Sequence, residues 1–359
     1  MTAAVTSQDL DTVALRGVID DVLADFLAEQ QRSAVAWRLP SEVAQVLSDF
    51  VGGGKRIRPV LCAVGWHAGG RGGLPPTVAR VGAALEMFHA FALIHDDVMD
   101  RSERRRGRST VHRVLGELHR AGRDEAAVER LGISAAILAG DLALSWSDQL
   151  LHGAGLAPGR LAAVLSLVDE MRTELMYGQY LDITSTGRPT ADVERALRIA
   201  RYKTAYYTLR WPLLIGATLA GSPQPVHDAL AAYAQPLGEL FQLRDDLLGV
   251  FGRPDETGKS CLDDLREGKH TVLVALALQR ADEAQQRTLH TLLGRPDLAE
   301  DDATRIRRMI VATGAREAVE HLIQTRRHQA LDAVDHGPFP PIAAAALRQL
   351  AHTITVRTA

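Results

Sequence analysis

The chain has 359 residues, of which 46% are hydrophobic, and its formal net charge at pH 7 is -3. It is long enough to bury a large core, and its charge balance gives no general attraction to nucleic acid or to an anionic membrane. The first residues carry acids where a secretion signal has a basic and then an apolar region, so we expect a cytoplasmic protein without a membrane span. Cys62 and Cys261 are the only cysteines, and we expect them to pack in the core rather than form a disulfide or a zinc site.

Apolar residues recur at spacings of three and four along most of the chain, which predicts an all-α protein. The strongest predicted helices cover 10–30, 77–99, 131–151, 160–181, 191–219, 225–250 and 315–333. Clusters of glycine and proline separate them at 69–76, 186–190, 221–225, 251–260 and 337–341. The segment 271–279 resembles a strand, but its place between a loop and a helical stretch favours a helix. No linker is long enough to separate two domains, so we predict one helical domain over residues 1–359.

Arginine has replaced lysine at nearly every basic position. Only four of the 41 basic residues are lysines, and they lie at positions 55, 203, 259 and 269. A lysine ammonium is a compact point charge whereas an arginine guanidinium is a planar fork, so a site shaped for one does not freely accept the other. The four lysines are therefore candidates for a binding site, with chance survival as the alternative.

Three carboxylates, Asp96, Asp97 and Asp100, end the predicted helix 77–99, and five arginines follow between positions 101 and 108. The three- and four-residue spacing predicts that the carboxylates share one helix face. Like charges at this spacing, beside the negative end of the helix dipole, destabilise a helix unless a cation compensates them. That cation is either a neighbouring arginine or a divalent ion such as Mg²⁺, which binds carboxylates together with substrate phosphates.

A second acidic cluster favours the metal ion. Asp245 and Asp246 end the predicted helix 225–250, one turn after Gln242. The loop that follows carries further acids and two of the lysines, at positions 259, 263, 264 and 269. Two such helices that face one another across a cavity would hold several metal ions around one highly charged ligand, and the basic side chains would bind its remaining oxygens. A diphosphate fits that description.

Taken in order, these motifs resemble those of the trans-type isoprenyl diphosphate synthases, also called polyprenyl synthetases. The resemblance extends from about residue 50 to about residue 275 and includes GGGKRIRP (52–59), HDDVMD (95–100), RRRGRSTVH (104–112), AGD (139–141), YGQYLDI (177–183), YKTA (202–205), FQLRDDLLG (241–249) and GKSCLDDLREGKHT (258–271). It implies a single large helical bundle around a deep central cavity. It also implies a homodimeric short-chain prenyltransferase, with geranylgeranyl diphosphate as the expected product and farnesyl diphosphate as the alternative.

The resemblance implies a role for each matching residue. Isopentenyl diphosphate would be bound by Lys55, Arg58, His89 and Arg106, and the allylic diphosphate by Arg105, Lys203, Lys259 and Lys269. Three Mg²⁺ ions would be held by Asp96, Asp100 and Asp245, with Asp97 and Asp246 beside them. Electron-rich groups facing the allylic cation would be Gln179, Gln242 and the backbone carbonyl of Thr204. For His89 the alternative is a satisfied core histidine, and Arg101, Arg104 and Arg108 are expected to be surface charge.

The implied reaction is an ionisation, a condensation and an elimination in which the departed diphosphate takes the proton, so no protein base is expected.

One position departs from the family's motifs. Where the second aspartate motif usually has a third aspartate, this chain has Gly249. We expect weaker binding of the third Mg²⁺, for which Asp246 would compensate, and we expect that aspartate at position 249 leaves activity unchanged or lowers the Mg²⁺ requirement.

Two phenylalanines are candidates for the floor of a product pocket. Phe91 and Phe88 lie roughly 7.5 and 12 Å below Asp96 along the helix, so a growing prenyl tail would meet their rings in turn. In the family, a bulky residue at the first of these positions limits the product length. The small Ala92 beside Phe91, with no insertion between Asp97 and Asp100, favours a twenty-carbon product. Core packing is the alternative for both rings.

Two other functions share part of this pattern. A class I terpene cyclase also has a DDxxD helix, but its second motif, (N/D)DxxSxxxE, would require serine and glutamate where this chain has Gly249 and Arg253. A non-catalytic subunit of a heteromeric synthase typically lacks the first aspartate motif, which is intact here. The sequence therefore favours the synthase.

Overall fold

The structure is a computed structural model that describes residues 10–253 and 261–356. Its helices in the first half are α1 (Thr12–Ala36), α2 (Glu42–Val51), α3 (Ile57–Ala68), α4 (Pro76–Met99), α5 (Val111–Leu118), α6 (Glu125–His152), α7 (Pro158–Ile183) and α8 (Val193–Ile199). A π-helix (Ala200–Arg210) continues directly into α9 (Trp211–Ala220). The helices that follow are α10 (Gln224–Phe251), α11 (Asp263–Glu267), α12 (Val272–Arg280), α13 (Glu283–Leu292), α14 (Glu300–Ala312), α15 (Ala315–His336) and α16 (Pro341–Thr355).

The all-α prediction is confirmed, and each long predicted stretch is helical, although residues 200–210 within the predicted helix 191–219 form a π-helix. The segment 271–279 is helical, as α12. Sequence periodicity missed several shorter helices, among them α2, α3, α5 and α14. It also missed a two-residue antiparallel pair, β1 (Arg104–Arg105) and β2 (Arg108–Ser109), between α4 and α5. The prediction of one domain stays a prediction, although the buried apolar residues from α1 to α16 form a single cluster.

Helix α4 contributes many residues to this cluster and is buried over most of its length. It begins with proline in its first turn, where the missing N–H costs nothing, and ends at Asp100. By length and composition α4 is the one helix among the described residues that could cross a membrane, and 72% of its most apolar window is buried inside the protein. A helix that is apolar on all sides fits the core of a large helical protein.

The π-helix is wider than an α-helix and is held against α7 at a point of close approach. A Cβ on Gly178 of α7 would lie 2.3 Å from the backbone N of Lys203 and 2.4 Å from the carbonyl carbon of Tyr202. Only glycine allows the two backbones to approach so closely. Because π-helical turns are rare and are often found at functional sites, this contact directs attention to the residues around Lys203.

Candidate active site

The first acidic cluster occupies the last turns of α4, but its three carboxylates do not share one environment. The Asp96 side chain is 20% exposed, whereas that of Asp97 is 1% exposed. Nε of Arg105 donates to both carboxylate oxygens of Asp97 at 2.8 Å. The expectation of one shared face is therefore wrong for Asp97, because its charge turns inward to pair with arginine. Asp96 and Asp100 remain as the partly exposed carboxylates of the cluster.

Arg105 is positioned by a tight hairpin between β1 and β2. Arg106 and Gly107, at the tip, have φ angles of 52° and 75°. Two successive positive φ values are typical of the type I′ turn that joins a two-residue hairpin. This turn directs the Arg105 guanidinium back to α4, where Nη2 donates to Asp96 Oδ2 at 3.1 Å. In this structure Arg105, predicted to bind the allylic diphosphate, pairs with the aspartates.

Lys203 joins three elements at Asp96. Its Nζ lies 3.1 Å from Asp96 Oδ1 on α4 and 2.5 Å from Asp182 Oδ2 on α7. Gln179, one turn before Asp182, also donates to Asp96 Oδ1 at 3.1 Å. Lys203 and Gln179 are thus brought to the site as predicted. Asp182 was missed, although its place within the YGQYLDI motif was available as a signal.

The charges around Asp96 and Asp100 move their pKa values in opposite directions. Burial acts to raise the pKa of Asp96, but the positive charges of Lys203, Arg105 and Lys269 outweigh it and lower the pKa to about 2. Burial and the negative charge of Asp96 raise the pKa of Asp100 to about 7. The positive charges near Asp100 are therefore too weak to keep this buried carboxyl ionised. A metal cation that binds together with the ligand would supply the missing positive charge.

The second acidic cluster lies at the end of α10. Asp245 is partly exposed, while Asp246 is buried and accepts a hydrogen bond from Gln242 Nε2 at 2.8 Å. Burial, with the negative charges of Asp264 and Asp245, raises the pKa of Asp246 to about 8. At neutral pH Asp246 is therefore largely protonated, which makes it a weaker metal ligand than Asp245.

This shift gives a prediction for stability. A carboxyl whose pKa is raised by folding holds its proton in the folded protein while the unfolded chain releases it, so its contribution to stability falls as the pH rises from about 4 to about 8. We expect Asp246→Asn, which still accepts from Gln242, to raise the free energy of unfolding of the metal-free protein by about 1–3 kcal/mol at pH 7. The gain should be smaller at pH 4. Urea unfolding at the two pH values measures it, and an equal gain at both would contradict the assignment.

Lys269 connects the two acidic clusters. Its Nζ lies 3.0 Å from Asp264 Oδ1 and 3.1 Å from Glu267 Oε2. The same charge acts to lower the pKa of Asp96 and Asp100 on α4 and of Asp246 on α10. One ammonium group that acts on carboxylates of both helices requires the two helix ends to converge on a common region. Lys259, the other predicted lysine of this loop, lies outside the described residues.

Gly249 faces a carboxylate from the next element. A Cβ built on Gly249 would lie 2.0 Å from Oδ2 of Asp264. The space where a third aspartate of the α10 motif would begin is therefore filled by Asp264, which bonds to Lys269. The expectation that aspartate at position 249 would be harmless did not allow for this contact.

We now expect Gly249→Ala and Gly249→Asp to displace Asp264 from Lys269 and to lower kcat/KM by about tenfold, the equivalent of an overpacking cost of about 1.4 kcal/mol. Steady-state kinetics of the two variants at several Mg²⁺ concentrations measures this. The alanine variant is the matched control for size without charge. Wild-type kinetics in both variants would show that Asp264 moves aside freely.

A basic cluster lies beside the acidic ones, below the hairpin. Arg58 is 7% exposed, its Nη2 donates to Thr208 Oγ1 at 2.7 Å, and its Cζ lies 4.1 Å from the centroid of the Tyr207 ring. Its buried Nε has no hydrogen-bond partner in the described part of the chain. Lys55, just before α3, and Arg106, at the hairpin tip, are exposed.

His89 belongs to this cluster. The Tyr207 hydroxyl lies 2.9 Å from its Nδ1. Burial, followed by the charges of Arg58, Arg106, Arg105 and Arg56, lowers the pKa of His89 well below its ordinary value. Burial is the largest of these causes, and Arg105 and Arg56 are paired with acids, so Arg58 and Arg106 are the cations of this group that could attract an anion. His89 thus lies among the arginines as predicted, and its bond to Tyr207 also fits the core alternative.

The remaining predicted residues have less specific surroundings. Thr204 is partly buried within the π-helix. Phe88 and Phe91 are 1% and 8% exposed, and their ring centroids are 5.4 Å apart. Gly140 of the AGD motif packs on His95, because a Cβ there would lie 2.3 Å from the imidazole ring. Cys62 and Cys261 are buried and free, as expected.

The carboxylates are the ligand type that Mg²⁺ prefers, but they do not form a complete metal site on their own. Within residues 10–253 and 261–356 there is no group of three or more His, Cys, Asp or Glu side chains that could hold a metal ion. The partly exposed acids of the two clusters nevertheless supply only oxygen donors, and the charges of Lys203 and Lys269 do not offset the burial of Asp100 and the charge of Asp96 beside it. Mg²⁺ commonly binds through one or two carboxylates and completes its shell with water and substrate phosphates. The residues therefore fit a metal that arrives with a phosphorylated ligand.

The fold and site define a helical protein whose paired aspartates and neighbouring basic side chains form a site that fits a polyanionic ligand bound with metal ions. The polyprenyl synthetase family model matches residues 40–310. A (2E,6E)-farnesyl diphosphate synthase of Mycobacterium bovis is 34% identical over 345 residues, covering 94% of this chain and 89% of the relative. The chain therefore belongs to the polyprenyl synthetase family and is a trans-prenyltransferase.

Solved structures and a further relative agree with this assignment. A geranylgeranyl pyrophosphate synthase of Corynebacterium glutamicum, complexed with isoprenyl diphosphate and magnesium, has a TM-score of 0.91 and 40% identity, and covers 97% of this chain and 100% of that chain. A geranylfarnesyl diphosphate synthase of Aeropyrum pernix is 32% identical over 291 residues, covering 80% of this chain and 84% of the relative. These proteins are named for products of different lengths, so similarity alone does not select one.

Proposed function

We propose that the protein condenses isopentenyl diphosphate with an allylic diphosphate in a Mg²⁺-dependent reaction and releases geranylgeranyl diphosphate. The observation that carries the proposal is that Lys269, which bonds to Asp264, acts on carboxylates of both aspartate clusters, beside the buried Arg58, whose Nε has no hydrogen-bond partner among the described residues. The positive side chains, together with bound metal ions, could neutralise two diphosphates. One would lie at the aspartates with metal ions, and the other at the arginines.

Each cluster then has a distinct task. Asp96, Asp100 and Asp245 would hold three Mg²⁺ ions, which would neutralise the allylic diphosphate and make it a leaving group. Lys203 and Arg105 already lie at Asp96, so they are within reach of a diphosphate bound there. Arg58, with an unpartnered Nε among the described residues, would bind the diphosphate of isopentenyl diphosphate by charge-assisted hydrogen bonds.

The allylic cation that forms needs electron-rich neighbours that do not trap it. Gln179 lies at Asp96, and Thr204 follows Lys203 in the π-helix. Gln242, bonded to Asp246, is the corresponding group on α10. These preorganised dipoles would stabilise the cation in a site shielded from water. The departed diphosphate takes the proton at the end, so no protein base is required.

The product length is proposed from the two phenylalanines below Asp96. Phe91 and Phe88 form a contiguous aromatic layer in the core, and Phe88 also meets the edge of the Tyr207 ring at a centroid distance of 6.4 Å. We expect Phe91→Ala to open space below the first aspartates and to give products longer than those of the wild type. Chromatography of the dephosphorylated products measures this, and an unchanged product spectrum would contradict the floor role of Phe91.

The direct test of the proposed function is an assay of the purified protein. It would be incubated with Mg²⁺, isopentenyl diphosphate and each allylic primer in turn, and the product identified by mass. We expect elongation of the primer to twenty carbons. A cyclic hydrocarbon formed from a single diphosphate would instead establish a terpene cyclase, and the absence of any product with every primer would favour a non-catalytic subunit.

We also propose a homodimer. Large apolar side chains are exposed on the outer faces of α6 and α7, and they are Ile137, Leu138, Met176, Tyr177, Tyr180 and Ile183. Leu138 and Tyr177 are each 68% exposed. Exposed apolar side chains of this size favour an interface between subunits. Sedimentation equilibrium measures the assembly, and a mass equal to one chain would contradict the proposal. The cytoplasmic location stays a prediction.

A further inference from the structure

Two side-chain contacts join α4 to α7 below the aspartates, and they occur in the same order along both helices. In the upper contact Gln179 donates to Asp96. In the lower contact Cζ of Arg172 on α7 lies 5.4 Å from the centroid of the Phe88 ring on α4. The two contacts are separated by about two helical turns on each helix, roughly 11 Å. A tail that grows from Asp96 between these two contacts would meet the Phe91 ring first, then the Phe88 ring that packs on it, and then Arg172.

Arg172 places a charged group behind the aromatic layer. Its Nη2 lies 2.6 Å from Oδ1 of Asp148 on α6, and its side chain is 16% exposed. Its Nε is buried and has no hydrogen-bond partner among the residues that the structure describes. Asp148 is 39% exposed, so the ion pair extends from the aromatic layer to solvent. Neither residue belongs to the motifs that bind diphosphate.

We propose that the Arg172–Asp148 ion pair is a charged stop for the growing prenyl chain, behind the stop formed by the Phe88 ring. This inference rests on the proposed prenyltransferase function. An aromatic stop acts through its volume, so truncation removes it. A charged stop acts differently, because a hydrocarbon tail pressed against the guanidinium removes water from an ion that already has an unpaired donor. The tail therefore cannot extend far into the space opened by truncating Phe88 while the Arg172 charge remains.

The two kinds of stop are separated by combining substitutions. Phe88→Ala opens the volume alone, and Arg172→Met removes the charge alone while keeping an unbranched side chain of similar length. The double variant Phe88→Ala/Arg172→Met removes both stops. Phe88→Ala/Arg172→Lys is the matched control, because it keeps a cation at the same place. Arg172→Gln is a second neutral variant, used where circular dichroism shows that the methionine variant does not fold.

Each variant would be given farnesyl diphosphate, isopentenyl diphosphate and Mg²⁺, and product lengths measured by mass spectrometry. We expect Arg172→Met to retain the wild-type product and Phe88→Ala to lengthen it by about one five-carbon unit. The neutral double variant should raise the fraction of still longer products at least tenfold over Phe88→Ala, and the lysine control should not. Identical spectra for Phe88→Ala and the neutral double variant would overturn the charged stop. A wild-type protein that elongates no primer would instead overturn the proposed function.

Discussion

Asp96→Asn should lower kcat by roughly 10²–10³-fold, the usual loss when one preorganised electrostatic contact with developing charge is removed. Asp96 is the carboxylate on which Lys203, Arg105 and Gln179 converge, and its depressed pKa shows that it is charged at every working pH. Asparagine keeps the shape and an acceptor oxygen but loses the charge that a divalent cation requires. Steady-state kinetics with saturating Mg²⁺ and both diphosphates measures the loss.

Asp301→Asn is the matched control, because Asp301 is an exposed carboxylate in the first turn of α14, away from the site. It should retain wild-type kinetics. The two variants should have similar far-ultraviolet circular dichroism, so that lost activity in Asp96→Asn cannot be attributed to unfolding. An Asp96→Asn variant with more than about a tenth of the wild-type kcat would contradict the metal-ligand role.

Arg58→Gln should raise the KM for isopentenyl diphosphate by roughly a hundredfold while changing kcat and the KM of the allylic primer much less. Truncating one partner of a buried charged hydrogen bond costs about 2–5 kcal/mol, and about 2.7 kcal/mol corresponds to a hundredfold change. Arg58 is nearly buried over Tyr207, so no other side chain can simply replace its charge. Initial rates with one substrate varied at a time separate the two KM values.

Arg348→Gln serves as the comparison, because Arg348 pairs with Asp335 on the outer helices α15 and α16. Its substrate KM values should equal those of the wild type. If Arg58→Gln raised the KM of the allylic primer as much as that of isopentenyl diphosphate, the division of the site into two diphosphate regions would be wrong.

Local periodicity was sufficient to predict the long helices, because α4, α6, α7, α10 and α15 each bury a continuous apolar surface. It could not predict the π-helix, since a period near 3.6 describes α-helices and the wider turns depend on packing against Gly178. The hairpin was missed for a related reason. It depends on a positive φ at Arg106, which arginine rarely adopts and which the sequence does not indicate.

The candidate site was predicted as a set of residues but not as a set of contacts. Lys203 and Gln179 contact Asp96, as the motifs predicted, whereas Lys269 acts on Asp96 through its charge and contacts Asp264 and Glu267. The motifs did not reveal that Asp97 turns inward to Arg105, because helical spacing alone assigns it to the same end of α4 as its neighbours. Nor did they show that Asp264 occupies the space beside Gly249, since that contact joins two elements whose packing no local pattern specifies.

The convergence of both aspartate clusters on one metal-bound diphosphate is tested most directly by calorimetry with Mg²⁺ and inorganic pyrophosphate. We expect weak binding of Mg²⁺ alone, tight binding of the two together, and a loss of that joint binding in Asp96→Asn and in Asp245→Asn. The double variant should lose little more joint binding affinity than either single variant, because both carboxylates act on one ligand. Additive losses, or tight Mg²⁺ binding without pyrophosphate, would contradict a single shared site.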